Sequence, residues 1–570
     1  MGVSYSISSN LVPPRPDLGF GETIPGQNLS ATTRQKAHNI GVLILIAGAI
    51  LLAGAFIGCL IALPIAFCIG SMAIIGLGVA SGGGVSLLSL IGIAIFGVKN
   101  RHQPAISTTD IANPAAPKLG QFTKNHILST EHVKESSEWK LDLIKNAEKS
   151  IELSGNFCGG KLFREALDII DATIQRSKAK NPNGDPKLKV HVTASENLVE
   201  SEDRKKIELL RKKWPKNFHY LETNIKLEIS PVIRSIENHA KIIVVDEKYF
   251  VTGGSGIQEE MGTFTGEEKI KKEKRPFLKN MTLAEAYRDM DFVGEGPLAK
   301  TFRVEFFKLW RIWSHKMGHQ DKNAGYYSLD PATPACQSAK WEKAKASGDV
   351  VKDVQTKALI SDPEKPNAIT EDHINLLNTA KKTVKVSNLA FNSCTELHNA
   401  FHGAVHRGAK VTLVTNGNRP NNPFNHTFFV RANYPNYLPL LMGRSITKLD
   451  TKTVLSQELS QKKNAPEICE YAVPLVMNHT KATVIDENDD DAVVIGGSYN
   501  YSIKSHGIGD RGCDYEVSLT MKSKILAQRV AKRIDKDAAL SKKLTFDDAY
   551  ELYHHKGGRF QAKHLATFIV

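Results

Sequence analysis

The sequence repeats one pattern of secondary structure twice, and this duplication limits the possible folds more than any other feature. In residues 131–313 and again in 371–540, a helix precedes an alternating strand, and an amphipathic helix then leads to a second strand. The corresponding strands are 151–154 with 384–387, and 188–192 with 410–414. Strands that alternate with helices predict an α/β layered fold. We therefore expect two similar α/β halves.

Each half carries the motif His-x-Lys-x4-Asp at the same place in the repeat, at 239–246 and 479–486. The defining residues are His239, Lys241 and Asp246 in the first half and His479, Lys481 and Asp486 in the second. Residues two apart in a strand point to the same face, so the histidine and lysine of each motif act on one side. The two aspartates end apolar runs, and we expect them to hold the nearby backbone in place.

Two histidines beside two lysines suit the cleavage of a phosphodiester without a metal. One neutral imidazole can attack phosphorus and form a phosphohistidine. A second, protonated imidazole can donate to the leaving oxygen and then activate water or an alcohol. The lysines can bind the non-bridging oxygens and neutralise charge in the transition state.

A Gly-Gly-Ser triplet follows each motif, and its serine is a candidate donor to the same phosphate. The predicted phosphate-binding residues are Ser255, Ser498 and Asn500. The first half has Gly256 where the pattern of the second half predicts an asparagine. Losing one donor of this kind costs about 1–3 kcal/mol of transition-state binding.

The doubled motif with its Gly-Gly-Ser turn resembles the phospholipase D superfamily, over roughly residues 130–540. The resemblance implies two α/β/α layered halves related by pseudo-two-fold symmetry, whose motifs meet in one active site. It implies His239 as the nucleophile and His479 as the general acid. No cofactor and no metal are implied, and because one chain forms the whole site, a monomer can be active.

The same resemblance implies a carboxylate downstream of each Gly-Ser turn, which orients a catalytic histidine. Asp291 and Glu516 occupy that position when residues 289–292 are aligned with 514–517. A charged insertion at 259–279 is expected to be a surface loop near the mouth of the site.

Residues 39–98 contain no Asp, Glu, Lys or Arg. One helix of this length would be about 90 Å long, roughly three times the hydrocarbon thickness of a bilayer. We therefore predict two transmembrane spans, near 41–63 and 72–98. Lys and Arg residues flank both ends, so both termini and the catalytic domain are expected to face the cytosol. The alternative is a buried hydrophobic hairpin in a soluble domain.

This apolar segment behind a polar leader resembles the inclusion-membrane (Inc) proteins of obligate intracellular bacteria. The resemblance implies a bacterial effector exported into a host vacuole membrane. The remaining predicted segments are a flexible leader (1–38), a linker (99–130), an inter-half connection (314–370) and a C-terminal helical tail (541–570).

The expected partners are membrane phospholipids, with water or an alcohol as acceptor. Hydrolysis of glycerophospholipids to phosphatidic acid is the leading interpretation. A cardiolipin synthase-like transphosphatidylase is the first alternative, because residues 294–297 (Gly-Glu-Gly-Pro) resemble that family. A superfamily nuclease is favoured by the net charge of +14 but disfavoured by the predicted hairpin. A non-catalytic membrane scaffold also stays open. The seven cysteines show no CxxC pattern, which disfavours a disulfide scaffold or a zinc ribbon.

Overall fold

The structure is a computed structural model, and it describes the parts of the chain given in the next sentence. The described residues are 107–155, 158–195, 199–223, 236–258, 287–317, 326–392, 394–417, 433–442, 465–473, 476–507 and 513–554. The predicted leader, the predicted hairpin and the insertion at 259–279 lie outside them. Within these ranges no helix combines the length and the apolar character that crossing a bilayer requires.

The first half alternates strands and helices, as its sequence predicts. Its strands are β1 (Thr123–Ser129), β2 (Ser150–Gly155), β3 (Cys158–Gly159), β4 (Lys189–Ser195), β5 (Phe218–Thr223), β6 (Ile242–Val245), β7 (Tyr249–Gly253), β8 (Ile257–Gln258), β9 (Tyr287–Arg288) and β10 (Asp291–Glu295). Its helices are α1 (Val133–Asn146), α2 (Gly160–Lys180), α3 (Ser201–Lys213) and α4 (Leu298–Lys316).

The second half repeats this order after a short helix, α5 (Ala339–Ser347). Its strands are β11 (Val351–Ile360), β12 (Thr383–Asn388), β13 (Lys410–Asn416), β14 (Glu467–Tyr471), β15 (Met477–Asn478), β16 (Lys481–Ile485), β17 (Val493–Gly497), β18 (Val517–Lys522) and β19 (Ser541–Lys543). Its helices are α6 (Ala368–Leu377), α7 (Thr395–His406), α8 (Tyr434–Leu441), α9 (Ile503–His506), α10 (Lys524–Ala539) and α11 (Phe546–His554).

In the described part of the chain, one mixed sheet of 15 strands runs through both halves, in the order β5-β4-β2-β6-β7-β10-β1-β11-β18-β17-β16-β12-β13-β14-β19. Each half contributes seven strands in the same relative order, and β19 extends one edge. Antiparallel pairing of β1 with β11 joins the halves at the centre. The strand order is therefore that of two halves related by a pseudo-two-fold axis.

The two central strands lie in segments that the sequence assigned to a linker and a connection. Strand β1 falls in 99–130 and β11 falls in 314–370, so the described parts of both segments contribute to the folded halves. The strands were missed because both are rich in polar residues and are only partly buried. The tail likewise contains a strand, β19, before its helix α11.

Helices cover both faces of the sheet. On the outer face of the first half, side chains of α1 and α2 pack on β2, and the second half has an equivalent outer core under α6 and α7. The long helices α4 and α10 pack on the opposite face, in a core that contains residues of both halves. Strand β6 is buried on both faces, which explains its continuous apolar run.

Candidate active site

Each motif histidine is hydrogen-bonded to a carboxylate from the opposite half. His239 Nδ1 lies 2.8 Å from Glu516 Oε2, and His479 Nδ1 lies 2.6 Å from Asp289 Oδ2. All four side chains are buried. The two pairs are thus equivalent under the pseudo-symmetry, and each half supplies the carboxylate that binds the histidine of the other half. We call this arrangement the exchange of carboxylates.

Backbone pairing across the boundary between the halves produces this exchange. His239 N donates to Tyr515 O at 2.9 Å, and His479 N donates to Arg288 O at 2.8 Å. The acceptor residue in each case directly precedes the carboxylate that binds the imidazole. The backbone contact therefore fixes each carboxylate beside the histidine of the other half.

The contact expected of Glu516 is present, whereas the expectation for Asp291 requires correction. Asp291 forms a buried ion pair with Lys140 Nζ at 2.7 Å and accepts the backbone N–H of Ser255 at 3.0 Å. Burial opposes ionisation, but Lys140 and the hydroxyls of Ser136 and Ser255 together outweigh it and hold the pKa of the Asp291 carboxyl below its usual range. The carboxylate that contacts His479 belongs to Asp289.

The strand register explains the discrepancy. Asp291 pairs with Gly253, and Ser518 pairs with Gly497 at the equivalent point of the second half. The sequence alignment of Asp291 with Glu516 therefore differs by two residues from the alignment that the strand register gives. A shift of two keeps side chains on the same face of a strand, so alternation alone could not reveal it.

Each motif lysine lies next to its own histidine. Lys241 Nζ is 3.1 Å from His239 Nε2, and Lys481 Nζ is 2.5 Å from His479 O. Because Lys241 donates to Nε2 while Glu516 accepts from Nδ1, neutral His239 keeps its proton on Nδ1. Its Nε2 lone pair is then the nucleophilic one.

Burial controls the charge of these groups. It lowers the pKa of Lys241 to about 8 and of Lys481 to about 7. Burial and the adjacent Lys481 lower the pKa of His479 to about 3, and burial with both lysines lowers the pKa of His239 well below its ordinary value. Both shifts favour the neutral imidazole in the site without substrate.

Serine hydroxyls surround Glu516. The hydroxyl of Ser498 donates to Glu516 Oε2, and that of Ser505 donates to Glu516 Oε1 at 2.7 Å. The backbone N–H of Glu516 donates to Ser361 Oγ at 2.7 Å. Burial raises the pKa of the Glu516 carboxyl. Ser498 was predicted to bind phosphate, and in the structure its hydroxyl instead supports the carboxylate that holds His239.

Ser255 also differs from its predicted role. Its hydroxyl contacts Lys140 Nζ at 2.6 Å and Asp291. The register makes Gly254, not Ser255, the counterpart of Ser498. A Cβ at Gly254 would lie 2.1 Å from Asp289 Oδ1, so this glycine lets the carboxylate approach.

Asn500 is buried, and its Oδ1 has no hydrogen-bond partner among the described residues. A buried amide atom of this kind is costly unless a ligand or water satisfies it. This oxygen is an acceptor, and a phosphodiester has no donor to offer it, so the predicted contact with phosphate would use the Nδ2 group and stays a prediction.

The two motif aspartates hold backbone remote from the imidazoles. Asp246 accepts four backbone N–H groups, from Glu148, Lys149, Ser150 and Cys336, and Asp486 accepts three, from Lys381, Lys382 and Thr383. Their backbone φ values are +58° and +51°. Each aspartate therefore connects the turn after its motif strand, by hydrogen bonds, to the adjacent junction between a helix and a strand.

An asparagine precedes each motif histidine, and sequence reasoning overlooked both. Asn238 Nδ2 donates to Ser154 Oγ at 3.2 Å, and Asn478 Nδ2 donates to Ser387 Oγ at 3.1 Å. The repeated Asn-His-x-Lys would have revealed them. Among the described residues, no group of three or more His, Cys, Asp or Glu side chains is arranged to hold a metal ion.

Residues 373–538 match the family model described as "Cardiolipin synthase, PLD-like domain". The match runs from α6 to α10 and includes the second motif. The second half is therefore similar to a phospholipase D-like domain of the cardiolipin synthase family. No curated protein sequence matches the chain.

Several solved structures are similar at low identity. Phosphatidylserine synthase from Haemophilus influenzae matches 79% of this chain and 97% of its own, with 16% identity and a TM-score of 0.48. Nuc from Salmonella typhimurium, a phospholipase D family member, matches 33% and 98%, with 13% identity and a TM-score of 0.23. Polyphosphate kinase from Porphyromonas gingivalis matches 72% and 50%, with 9% identity and a TM-score of 0.37. At these scores, none of them identifies an activity.

Proposed function

We propose that this chain is a phospholipase D-type phosphodiesterase that hydrolyses glycerophospholipids to phosphatidic acid. The observation that carries the proposal is the pair of His–carboxylate contacts made across the two halves, with a buried lysine beside each histidine. This arrangement supports a site with a nucleophile, a proton donor and two cations.

In the first step, His239 Nε2 attacks phosphorus and the bond from phosphorus to the headgroup oxygen breaks. His479 donates its proton to that oxygen. The negative charge of the bound diester raises the pKa of His479, so this imidazole takes up its proton with the substrate. Glu516 and Asp289 stabilise the positive charge that each imidazole acquires.

In the second step, His479 removes a proton from water, and the oxygen attacks the phosphohistidine. The bond from phosphorus to nitrogen breaks, and His239 returns to its neutral form as phosphatidic acid leaves. Lys241 and Lys481 bind the non-bridging oxygens in both steps, and Asn500 adds a neutral contact.

The proposed location is a membrane, with the hairpin at 39–98 as anchor. Confining the catalytic halves to the bilayer surface removes most of the diffusional search for a lipid headgroup. The flanking basic residues support a cytosolic position for the termini and the catalytic halves. The Inc-like pattern supports a host vacuole membrane.

Transfer to an alcohol is the second candidate. It is favoured by the family model matched by the second half, whose description names cardiolipin synthase. The catalytic residues are the same for both outcomes, because the phosphohistidine can be resolved by water or by any alcohol that reaches it.

The decisive experiment supplies labelled phosphatidylglycerol to the full-length protein, with ethanol in a parallel reaction. Phosphatidic acid, with phosphatidylethanol in the second reaction, is the expected result, whereas cardiolipin identifies the synthase. His239→Ala and His479→Ala serve as inactive controls. A folded, inserted protein that turns over neither lipid nor nucleic-acid diesters would overturn the proposal and favour the scaffold.

A further inference from the structure

The two His–carboxylate pairs are supported in different ways. Glu516 is held by serines of its own half, as described above. The pair of Asp289 and His479 is supported instead by a network of buried arginines that joins the two halves. This network lies outside the reacting groups.

Arg533, on α10, is the centre of the network. Its Nη2 donates to Asp289 O at 2.6 Å and to Thr480 Oγ1 at 3.3 Å. Thr480 Oγ1 in turn donates to Arg288 O at 3.1 Å, the same carbonyl that accepts His479 N. Arg533 therefore contacts Asp289 of the first half and, in the second half, Thr480, the residue next to His479.

A second arginine, Arg288, and an aspartate, Asp537, extend this network and hold it in place. Arg288 Nε donates to Asp537 Oδ1 at 2.8 Å, and Asp537 lies one turn after Arg533 on α10. Arg288 Nη1 and Arg533 Nε also share the carbonyl of Glu131 as acceptor, at 2.8 and 3.2 Å. Asp537 is fully buried and supplies a negative charge beside the two cations.

The first motif cannot form the same contact. Its central residue is Ala240, which has no hydroxyl where the second motif has Thr480. We propose that Arg533 and Thr480 are positioning residues that orient His479 against Asp289, so that proton transfer to and from the leaving and entering oxygens depends on them. The kinetic part of this inference rests on the proposed function.

The inference predicts a dependence on the leaving group. A p-nitrophenolate leaving group needs little protonation, whereas a headgroup alkoxide needs a general acid. Thr480→Ala and Arg533→Lys should slow turnover of phosphatidylglycerol about 10- to 100-fold, the usual cost of a misplaced catalytic group. First-turnover release of p-nitrophenol from phosphatidyl-p-nitrophenol should change by less than about threefold.

The matched control is Thr356→Ala. Thr356 is also fully buried, but its hydroxyl donates to Val354 O within β11. This variant removes one buried hydroxyl and should slow both substrates equally, if at all. Equal slowing of both substrates by Thr480→Ala would show that Thr480 is merely structural and would overturn the inference.

A second measurement does not require activity. In full-length protein with ¹⁵N-labelled histidine, the Nδ1–H proton of His479 should move upfield in Thr480→Ala, while that of His239 stays in place. This result supports the inference even if no lipid is turned over, in which case only the proposed function fails. Unchanged signals from both histidines, or equal shifts of both, would overturn it.

Discussion

His239 and Glu516 are 277 residues apart in the sequence, yet His239 Nδ1 lies 2.8 Å from Glu516 Oε2. The equivalent contact joins His479 to Asp289 over 190 residues. Neither half therefore contains a complete His–carboxylate pair. The region that matches the family model includes Glu516 and His479 but neither of their partners.

The first prediction concerns these carboxylates. Glu516→Gln and Asp289→Asn should each lower kcat by about 10²- to 10⁴-fold, because the amide favours the wrong tautomer and cannot stabilise an imidazolium. Steady-state kinetics on a phospholipid substrate would measure this.

Asp291→Asn is the matched control. It breaks the buried ion pair with Lys140 and should lower the free energy of unfolding by about 3 kcal/mol. The kcat of the folded protein should stay within about threefold of the wild-type value. A folded Asp291→Asn protein as inactive as Asp289→Asn would restore the assignment made from the sequence.

The second prediction separates the roles of the two histidines. With a p-nitrophenyl phosphodiester, His479→Ala should still form the phosphohistidine, because this leaving group needs little protonation, but should resolve it slowly. Intact-mass spectrometry should then detect an adduct that is labile in acid. His239→Ala should form none. An adduct in His239→Ala and none in His479→Ala would reverse the roles.

The third prediction concerns Gly254. Gly254→Ala places a Cβ 2.1 Å from Asp289 Oδ1, so the carboxylate must move away from His479. We expect kcat to fall by about 10- to 100-fold. Gly403→Ala is the control, because Gly403 lies in helix α7 and, among the described residues, its Cβ would meet only Arg407 Nη1, at 3.1 Å, from the residue that follows the helix. Unchanged kcat in Gly254→Ala would show that Asp289 does not need its present position.

The duplication, the elements around each motif and the pairing of His with Lys could all be predicted from the sequence. The strand expected at 188–192 is Lys189–Ser195, and the helix expected at 395–407 is Thr395–His406. These features depend on local periodicity and on residues only two apart, which a single strand or helix already determines.

The exchange of carboxylates could not be predicted in this way. It depends on hydrogen bonds between segments that are 190 and 277 residues apart, and local patterns carry no information about such pairing. The same reason explains why the contacts of Ser255 and Asp291 in the first half differ from those predicted. Asp289 and Asp291 share one face of the chain, and only the register with β7 distinguishes them.

The fourth prediction concerns the motif aspartates, which we expect to matter for stability rather than for catalysis. Asp246→Asn keeps the shape and tolerates the left-handed backbone, but it weakens hydrogen bonds from several backbone N–H groups. The free energy of unfolding should fall by about 1–3 kcal/mol. Urea denaturation would measure this.

In the same variant, kcat of the folded protein should be unchanged. Asp246→Ala should be less stable still, because alanine disfavours a φ of +58°. If Asp246→Asn lost activity with no shift in its urea midpoint, Asp246 would have a direct part in the reaction.

The fifth prediction follows from the lysine pKa values of about 7 for Lys481 and about 8 for Lys241. A bound anion favours the charged lysines and raises these pKa values, so binding above about pH 7 takes up protons. Affinity for sulfate, which does not itself titrate in this range, should therefore fall as pH rises from about 6 to about 9. Calorimetry in two buffers of different ionisation enthalpy would count the protons.

Lys481→Met should remove part of this proton uptake, whereas Lys212→Met, on the exposed face of α3, should change nothing. Affinity independent of pH would mean that both lysines stay charged without a ligand, and the site would then attract a phosphodiester equally well throughout this range.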